Sequence, residues 1–338
     1  MSPLVIPIFI AHQGCPHRCI FCDQHSITGK AAGEEHQVTP ASVKKEIEDW
    51  LAHSEDRKKR QVQVAFYGGS FTGLPVARQE ELLEAVQPFI EQGTVQKIRL
   101  STRPDYVNEE IAEFLDKHDV GVVELGVQSL DEEVLKASGR GHSVQQSMEA
   151  VKLLKQSGFS VGVQLMCGLP GDSTVKLINT ANMVVDLAPD FVRIYPALVI
   201  KGSGLARMYR DGSYKPLSLN KAVAQVSLLK TIFEQHNIKV VRVGLQPSEE
   251  LREKVLGGPY HPAFGELVAS RRLFKKAKQL LTREKTERVK SLSIAAADES
   301  AFRGQRNISM KKLIDLGLLE GVELFFDPKQ PRNSISAG

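Results

Sequence analysis

A chain of 338 residues, 42% apolar and 25% charged, has the make-up of an ordinary globular protein, long enough for one large α/β domain and a small appendage. No apolar run approaches the ~20 residues that span a bilayer. The opening residues, broken by Pro3 and Pro7, are too short for a secretory signal. A net charge of +4 does not by itself call for nucleic acid, and three of the four cysteines share one loop, so a reducing, cytoplasmic setting without a membrane partner is expected.

Residues 4–10 read as a short buried strand. It runs directly into His12-Gln13-Gly14-Cys15-Pro16-His17-Arg18-Cys19-Ile20-Phe21-Cys22-Asp23, with Cys15, Cys19 and Cys22 in the spacing C-x3-C-x2-C. Soft thiolates grouped on one tight loop suit an iron–sulfur cluster or zinc. A structural zinc site is normally closed by four protein ligands, whereas three cysteines on a cluster leave one iron open to a substrate or cofactor. His12, His17 and His25 keep a closed zinc site available as the alternative. A disulfide pair with a spare thiol fits poorly on so short a loop.

Residues 23–37 lack apolar periodicity and read as a loop. Thr39-Pro40 starts a helix whose Val43, Ile47, Trp50 and Leu51 share a face. A second strand over 61–67 ends in Gly68-Gly69-Ser70, and a helix carrying Leu82, Leu83, Val86, Phe89 and Ile90 follows. Further strands are expected over 98–101, 120–127, 159–166 and 191–195, and helices after Asn108 and over 131–136, 143–156 and 173–187. Six strands alternating with helices predict right-handed parallel βαβ units that curl into an open barrel, with the functional groups gathered at the strand C-termini. The fold class expected is therefore α/β, a partial (β/α)6 TIM-like barrel over 1–217, with a C-terminal α/β extension over 218–338.

Beyond residue 197 the order changes. Residues 201–216 read as a long loop over the barrel mouth. Residues 221–236, 251–256 and 264–281 and a stretch around 310–316 read as helices. Residues 238–243, 289–295 and 322–326 read as strands, and 332–338 as a frayed end. The part from Leu251 onward holds seventeen Lys and Arg against ten Asp and Glu. The excess is concentrated in Arg271, Arg272, Lys275, Lys276, Lys278, Arg283, Lys285, Arg288 and Lys290, as on a polyanion-binding face or a solvated helix face.

Several residues at the strand ends suit a cofactor. Gly68 and Gly69 let the backbone approach a ligand closely, with Ser70 beside them. Thr102 and Arg103 offer a hydroxyl and a guanidinium, unless Arg103 merely pairs with Asp105 at the surface. Glu124, Gln128 and Gln164 place polar groups in otherwise apolar strands, and a charge inside a barrel needs a partner or a function. Cys167 reads as a buried small side chain.

The cysteine loop, with Phe21 before the third cysteine, resembles the signature of the radical S-adenosylmethionine (SAM) superfamily. The strings YGGSFTGLP, STRPDY, VELGVQSLDEEVLKASGRGH and IYPALVIKGSGLARMYRDGSYKPLS resemble, in order, the radical SAM half of the catalytic subunit of Elongator, which acts on the wobble uridine of transfer RNA. The likeness runs from about Pro7 to Leu217. It implies that Cys15, Cys19 and Cys22 hold a [4Fe-4S] cluster whose open iron takes SAM. It further implies SAM contacts around Phe21, Gly68, Gly69, Ser70, Thr102, Arg103, Gln128, Gln164 and Leu198, with Lys201 near the cavity, and Glu124 joins them as a cofactor candidate on its charge inside the barrel. An electron donor such as flavodoxin or ferredoxin, and tRNA on the basic C-terminal part, are the implied partners. The 338 residues are expected to hold no acetyltransferase domain. Two other readings stand beside it. One is a small-molecule radical SAM enzyme of the coproporphyrinogen oxidase kind, against which Gln24 counts because those enzymes usually carry a cysteine there. The other is a non-catalytic, metal-stabilised RNA-binding protein.

Overall fold

The computed structural model describes residues 3–10, 13–15, 19–22, 38–54, 60–283 and 289–338. The loop expected over 23–37, the alternative ligands His12, His17 and His25, and Lys285 and Arg288 of the basic run lie outside the described residues. The chain groups into two compact units, Met1–Leu217 with Ile232–Pro259, and Ser218–Thr231 with Tyr260–Gly338.

The first unit alternates strand and helix. β1 (Leu4–Phe9), α1 (Pro40–His53), β2 (Val62–Tyr67), α2 (Val76–Glu84), α3 (Gln87–Glu91), β3 (Lys97–Thr102), α4 (Glu109–Lys117) and β4 (Val120–Gln128) make its first half. α5 (Glu132–Ala137), α6 (Val144–Gln156), β5 (Ser160–Cys167), α7 (Thr174–Leu187) and β6 (Phe191–Pro196) follow. Short polar side chains start the helices where the sequence places them. Thr39 accepts from the Ser42 amide, Asn108 from Ile111, Asp131 from Val134, Ser143 from Gln146 and Ser173 from Lys176. Each satisfies an amide that the first helical turn leaves without a partner.

The chain continues through β7 (Val199–Ile200), α8 (Gly204–Arg210), α9 (Leu219–Gln235), β8 (Lys239–Val243), α10 (Glu249–Lys254) and β9 (Val255–Gly257). The main sheet runs β1-β2-β3-β4-β5-β6-β8, all parallel, and curls into a half-barrel, so a seventh strand extends the expected six. The register sets Phe9 beside Tyr67, Ser101 beside Glu124, and Gln164 beside Arg193. With a side-chain period of two, Val5, Pro7 and Phe9, then Arg99 and Ser101, then Gln164 and Met166, then Phe191, Arg193 and Tyr195 line the hollow of the sheet.

Three expectations for the first unit need correction. Residues 201–216 contain α8: Ser203 caps it by accepting from the Ala206 amide, and Leu205 and Ala206 are fully buried, a local apolar anchor masked by the surrounding Gly, Lys and Arg. The helix expected over 251–256 starts earlier and stops at Lys254, because Val255–Gly257 pairs antiparallel with β7. The helix expected to carry both Leu82 and Ile90 is two, α2 and α3, with Pro88 in the first turn of α3.

In the second unit, α11 (Phe264–Arg283), β10 (Ser291–Ala295), α12 (Glu299–Arg303), α13 (Ile308–Asp315), β11 (Glu323–Asp327) and β12 (Ile335–Ala337) enclose a core of Leu273, Ala277, Leu292, Ile294, Phe302 and Leu313. The end expected to fray is a strand. β12 pairs antiparallel with β10, Ile335 packs on the core, and the Gly338 carbonyl accepts from the Lys290 and Ser291 amides. Helix α11 exposes Arg271, Lys275 and Lys278 on one face, while Arg272 turns inward. Among the described residues no helix is long and apolar enough to cross a membrane.

Candidate active site

The cysteine loop leaves the C-terminal end of β1 and lies on the turn that ends β2. The Ser70 amide donates to the Gln13 carbonyl (3.0 Å), and the Gln13 amide donates back to Ile10 (3.1 Å). Two glycines make this contact possible. A Cβ on Gly14, at φ +71°, would lie 2.0 Å from the Ser70 carbonyl oxygen, and one on Gly69 would lie 2.4 Å from that of Gln13. Both obstacles are backbone, so neither can swing aside. Gly14→Ala is therefore expected to destabilise the chain by more than ~1 kcal/mol and to lower the iron bound per chain several-fold after anaerobic reconstitution. Thermal unfolding and iron analysis check the two effects.

The far end of the loop is pinned elsewhere. The Ile20 amide donates to Ser138 (3.2 Å), and the Ile20 carbonyl accepts from the Leu205 amide at the start of α8 (2.6 Å). Phe21 wedges between two apolar clusters, one with Val199, Leu205 and Tyr214, the other with Val134, Leu169 and Ala197. The loop is thus gripped by β2, α5 and α8.

Around the sulfurs the fold collects cations. Cys19 is buried, and Arg140 donates to its Sγ at 3.1 Å while also donating to the Gly126 carbonyl and, through Nε, to His142 (3.2 Å). Burial and then the neighbouring Cys19 push the Cys15 thiol up, against the pull of Arg103 and Arg140. Burial, followed by the charge of Arg140, pushes His142 down to about 4, so its ring is neutral and accepts from Arg140. Arg103 does pair with Asp105, through Nε (2.9 Å) and Nη2 (2.8 Å), but its guanidinium is buried and Asp105 half-buried, and Nη2 also donates to the Arg140 carbonyl (2.6 Å). Ser70 and Thr102 share a hydrogen bond at 3.0 Å, Thr72 meets Thr102 at 2.6 Å, and the Arg103 amide donates to Ser70 Oγ.

A cavity of about 760 Å³ opens from this loop into the hollow of the sheet. Phe21, Cys22, Gly68, Gly69, Gln128, Gln164 and Leu198 line it. Cys15, Cys19, Ser70, Thr102, Arg103 and Glu124 are not on its wall, although the first five belong to or adjoin the cysteine loop at one end of it. Lys201 is exposed and is not on the wall either.

Glu124 is fully buried behind the wall. Its carboxylate accepts from Tyr67 Oη (2.7 Å), Gln164 Nε2 (3.2 Å) and Arg193 Nη2 (3.0 Å), and pairs with Arg193 Nε (2.6 Å) and Arg99 (3.5 Å). Arg99, Arg140, Arg193 and Tyr67 were not singled out from the sequence. The one local signal was a pair of arginines, Arg99 and Arg193, at inward positions of strands otherwise rich in Val, Ile and Leu.

Three observations fit a three-thiol cluster with a bound amino-acid cofactor. The donors are soft sulfurs on one loop. The cradle of Gly14 and Gly69 has no room for a side chain. Two buried polar atoms beside the loop, Arg103 Nη1 and Gln128 Oε1, have no hydrogen-bond partner among the described residues and would find one in a ligand. Among the described residues no three His, Cys, Asp or Glu side chains converge on a single metal ion; a cluster instead asks for one thiolate per iron.

Comparison with known proteins gives the family of the chain. Residues 9–184 match the profile of the radical SAM superfamily, and residues 189–273 that of the Radical_SAM C-terminal domain. The chain is 30% identical to the tRNA uridine(34) acetyltransferase of Methanocaldococcus infernus, over 78% of this chain and 55% of that protein. It is 30% identical to Elongator complex protein 3 of Saccharomyces cerevisiae over 52% of this chain and 35% of that protein. The solved archaeal Elp3 of M. infernus with an N-terminal deletion superposes with a TM-score of 0.62 at 25% identity, covering 82% of this chain and 64% of that one. Coproporphyrinogen III oxidase of Escherichia coli shares the fold, with a TM-score of 0.51 at 18% identity over 70% and 53% of the two chains. The chain spans about half the length of the tRNA uridine(34) acetyltransferase it matches.

Proposed function

The chain belongs to the radical SAM superfamily and is an enzyme whose cofactors are a [4Fe-4S] cluster and SAM, and we propose that it holds the cluster on Cys15, Cys19 and Cys22 and modifies RNA, with tRNA as its substrate. When bound, the reduced cluster supplies the electron that splits SAM into methionine and a 5′-deoxyadenosyl radical.

The chain's own groups have definite tasks in this reading. Arg140 holds Cys19 by a charge-assisted hydrogen bond and screens the negative charge gathered on the sulfurs. Arg103 Nη1 and Gln128 Oε1 await the polar groups of SAM, with the Gly68-Gly69 backbone close enough to contact it. Gln164 and Leu198 flank it from β5 and the segment after β6. Phe21, wedged by Leu205 and Leu169, keeps water from the cysteine loop. An electron donor of the flavodoxin or ferredoxin kind would reduce the cluster.

The observation that carries the RNA reading is the likeness to the M. infernus tRNA uridine(34) acetyltransferase, which runs through 78% of this chain and so well past the cysteine loop. The exposed Arg271, Lys275 and Lys278 on α11 add a basic face of the kind that contacts phosphates. Arg271→Glu combined with Lys275→Glu is expected to weaken tRNA binding at least tenfold. It should also flatten the dependence of log K on log salt by about 1.8, two phosphate contacts at ~0.9 each. Unchanged binding removes this helix from the RNA argument. Mass spectrometry of nucleosides from tRNA incubated with the reduced holoenzyme and SAM tests the reading itself, and unaltered nucleosides count against it.

A further inference from the structure

The cavity is charged on one side only. Its described wall carries no Asp or Glu, but three arginines: Arg99 and Arg193 at its inner end and Arg242 from β8. Glu124 behind the wall can cancel one of them. Its two oxygens already accept from Tyr67, Gln164 and Arg193 Nη2 at 2.7–3.2 Å, with Arg193 Nε alongside as an ion pair at 2.6 Å. Among the described residues Arg99 is left with one long approach to a carboxylate, at 3.5 Å, and its Nε is buried without an acceptor. Arg242 donates to the Gly244 carbonyl and to Gln246, both neutral. A guanidinium cannot shed its proton in a protein, so two positive charges face the cavity uncompensated. A structural ion pair would need one arginine beside Glu124; Arg242 is half-buried, but Arg99 is buried, and a buried charge beyond that pair is costly unless something pairs with it.

We propose that the inner end of the cavity binds an anionic group of the substrate, a carboxylate or a phosphate, on Arg99 and Arg193, with Arg242 contributing charge from β8. This rests on reading the cavity as the reaction chamber. The position is separate from the cysteine loop. Arg99 lies three residues before Thr102, hence ~10 Å down the strand from its C-terminal edge. Arg99 also stacks over the Phe191 ring (5.2 Å), at the first residue of β6. The planar, forked donors of arginine match carboxylate and phosphate oxygens in pairs.

The test uses the reconstituted holoenzyme saturated with SAM, at constant ionic strength. Calorimetry compares uridine 5′-monophosphate with uridine, and succinate with succinamide. At least one anion is expected to bind tenfold or more tightly than its neutral partner. A nucleotide preference assigns the site to a phosphate of the RNA, and a succinate preference to a small carboxylic acid co-substrate; either upholds the site. Arg99→Gln is expected to bring the ratio below threefold, and Arg99→Lys, which keeps a point charge, to leave it between. If Arg99→Gln does not fold, Arg99→Lys and Arg242→Gln carry the test, each lowering the ratio at least threefold. Equal binding of charged and neutral probes, or a ratio unmoved by the substitutions, overturns the proposal. Nucleoside analysis of tRNA on the same preparations separates the two readings. Unaltered tRNA with a persistent anion preference removes the RNA substrate and leaves the site, whereas modified tRNA with no anion preference removes the site alone.

Discussion

Cys19→Ala chains, reconstituted anaerobically, are expected to bind no iron–sulfur cluster, to show none of its visible absorbance and to release no 5′-deoxyadenosine from SAM on reduction. The loss should be complete rather than graded. Cys19 is the buried member of the three, held by Arg140 at 3.1 Å on a loop pinned at Gln13 and at Ile20. No other described cysteine can take its place, since Cys167 is fully buried at the end of β5 and burial, then Asp172, pushes its thiol up to about 12. Cys167→Ala is the matched control: it removes a small buried side chain and should keep the cluster and SAM cleavage. A Cys19→Ala chain that still cleaves SAM would refute the ligand assignment.

Glu124→Ala is expected to cost about 3–5 kcal/mol, the range for removing one partner of a buried ion pair and leaving the other uncompensated. Two guanidinium groups would then face each other across the space it leaves, and Tyr67 Oη would lose its acceptor. Burial and then Glu124 itself raise the Tyr67 phenol well above its usual range, so it stays a donor at any working pH. Urea unfolding of the cluster-free chain measures the loss. Glu124→Gln, which keeps the shape and one acceptor oxygen but not the charge, should fall between wild type and Glu124→Ala. A Glu124→Ala chain as stable as wild type would show that the carboxylate is not what holds Arg99 and Arg193 in the hollow of the sheet.

Glu124 marks where reading the chain by itself stops short. That a carboxylate in an apolar, β-branched strand must find partners follows from desolvation alone, while the strand, buried on both faces, does not say which way it points. That its partners are Tyr67, Arg99, Gln164 and Arg193 does not follow, because they come from four different strands and meet only through the parallel register. The expectation that Glu124 contacts the cofactor rests on its charge inside a barrel; the register sets it behind the cavity wall, where its carboxylate is taken up by Tyr67, Gln164 and two arginines.

What the sequence by itself determined is the part governed by short-range chemistry: cysteines spaced for a cluster, helix caps at Thr39, Asn108 and Ser143, and inward and outward alternation in the strands. These depend on neighbours a few residues away, and local geometry is the same in any context. What only the tertiary structure decided is every pairing across long separations: Arg140 on Cys19, α8 clamping Ile20, β12 closing on β10, and the uncancelled charge of Arg99. A guanidinium on a strand shows its charge to any reader. Whether that charge is answered depends on which side chains the curl of the sheet brings within ~4 Å, where the interaction falls off with distance and dielectric, and no local pattern encodes that.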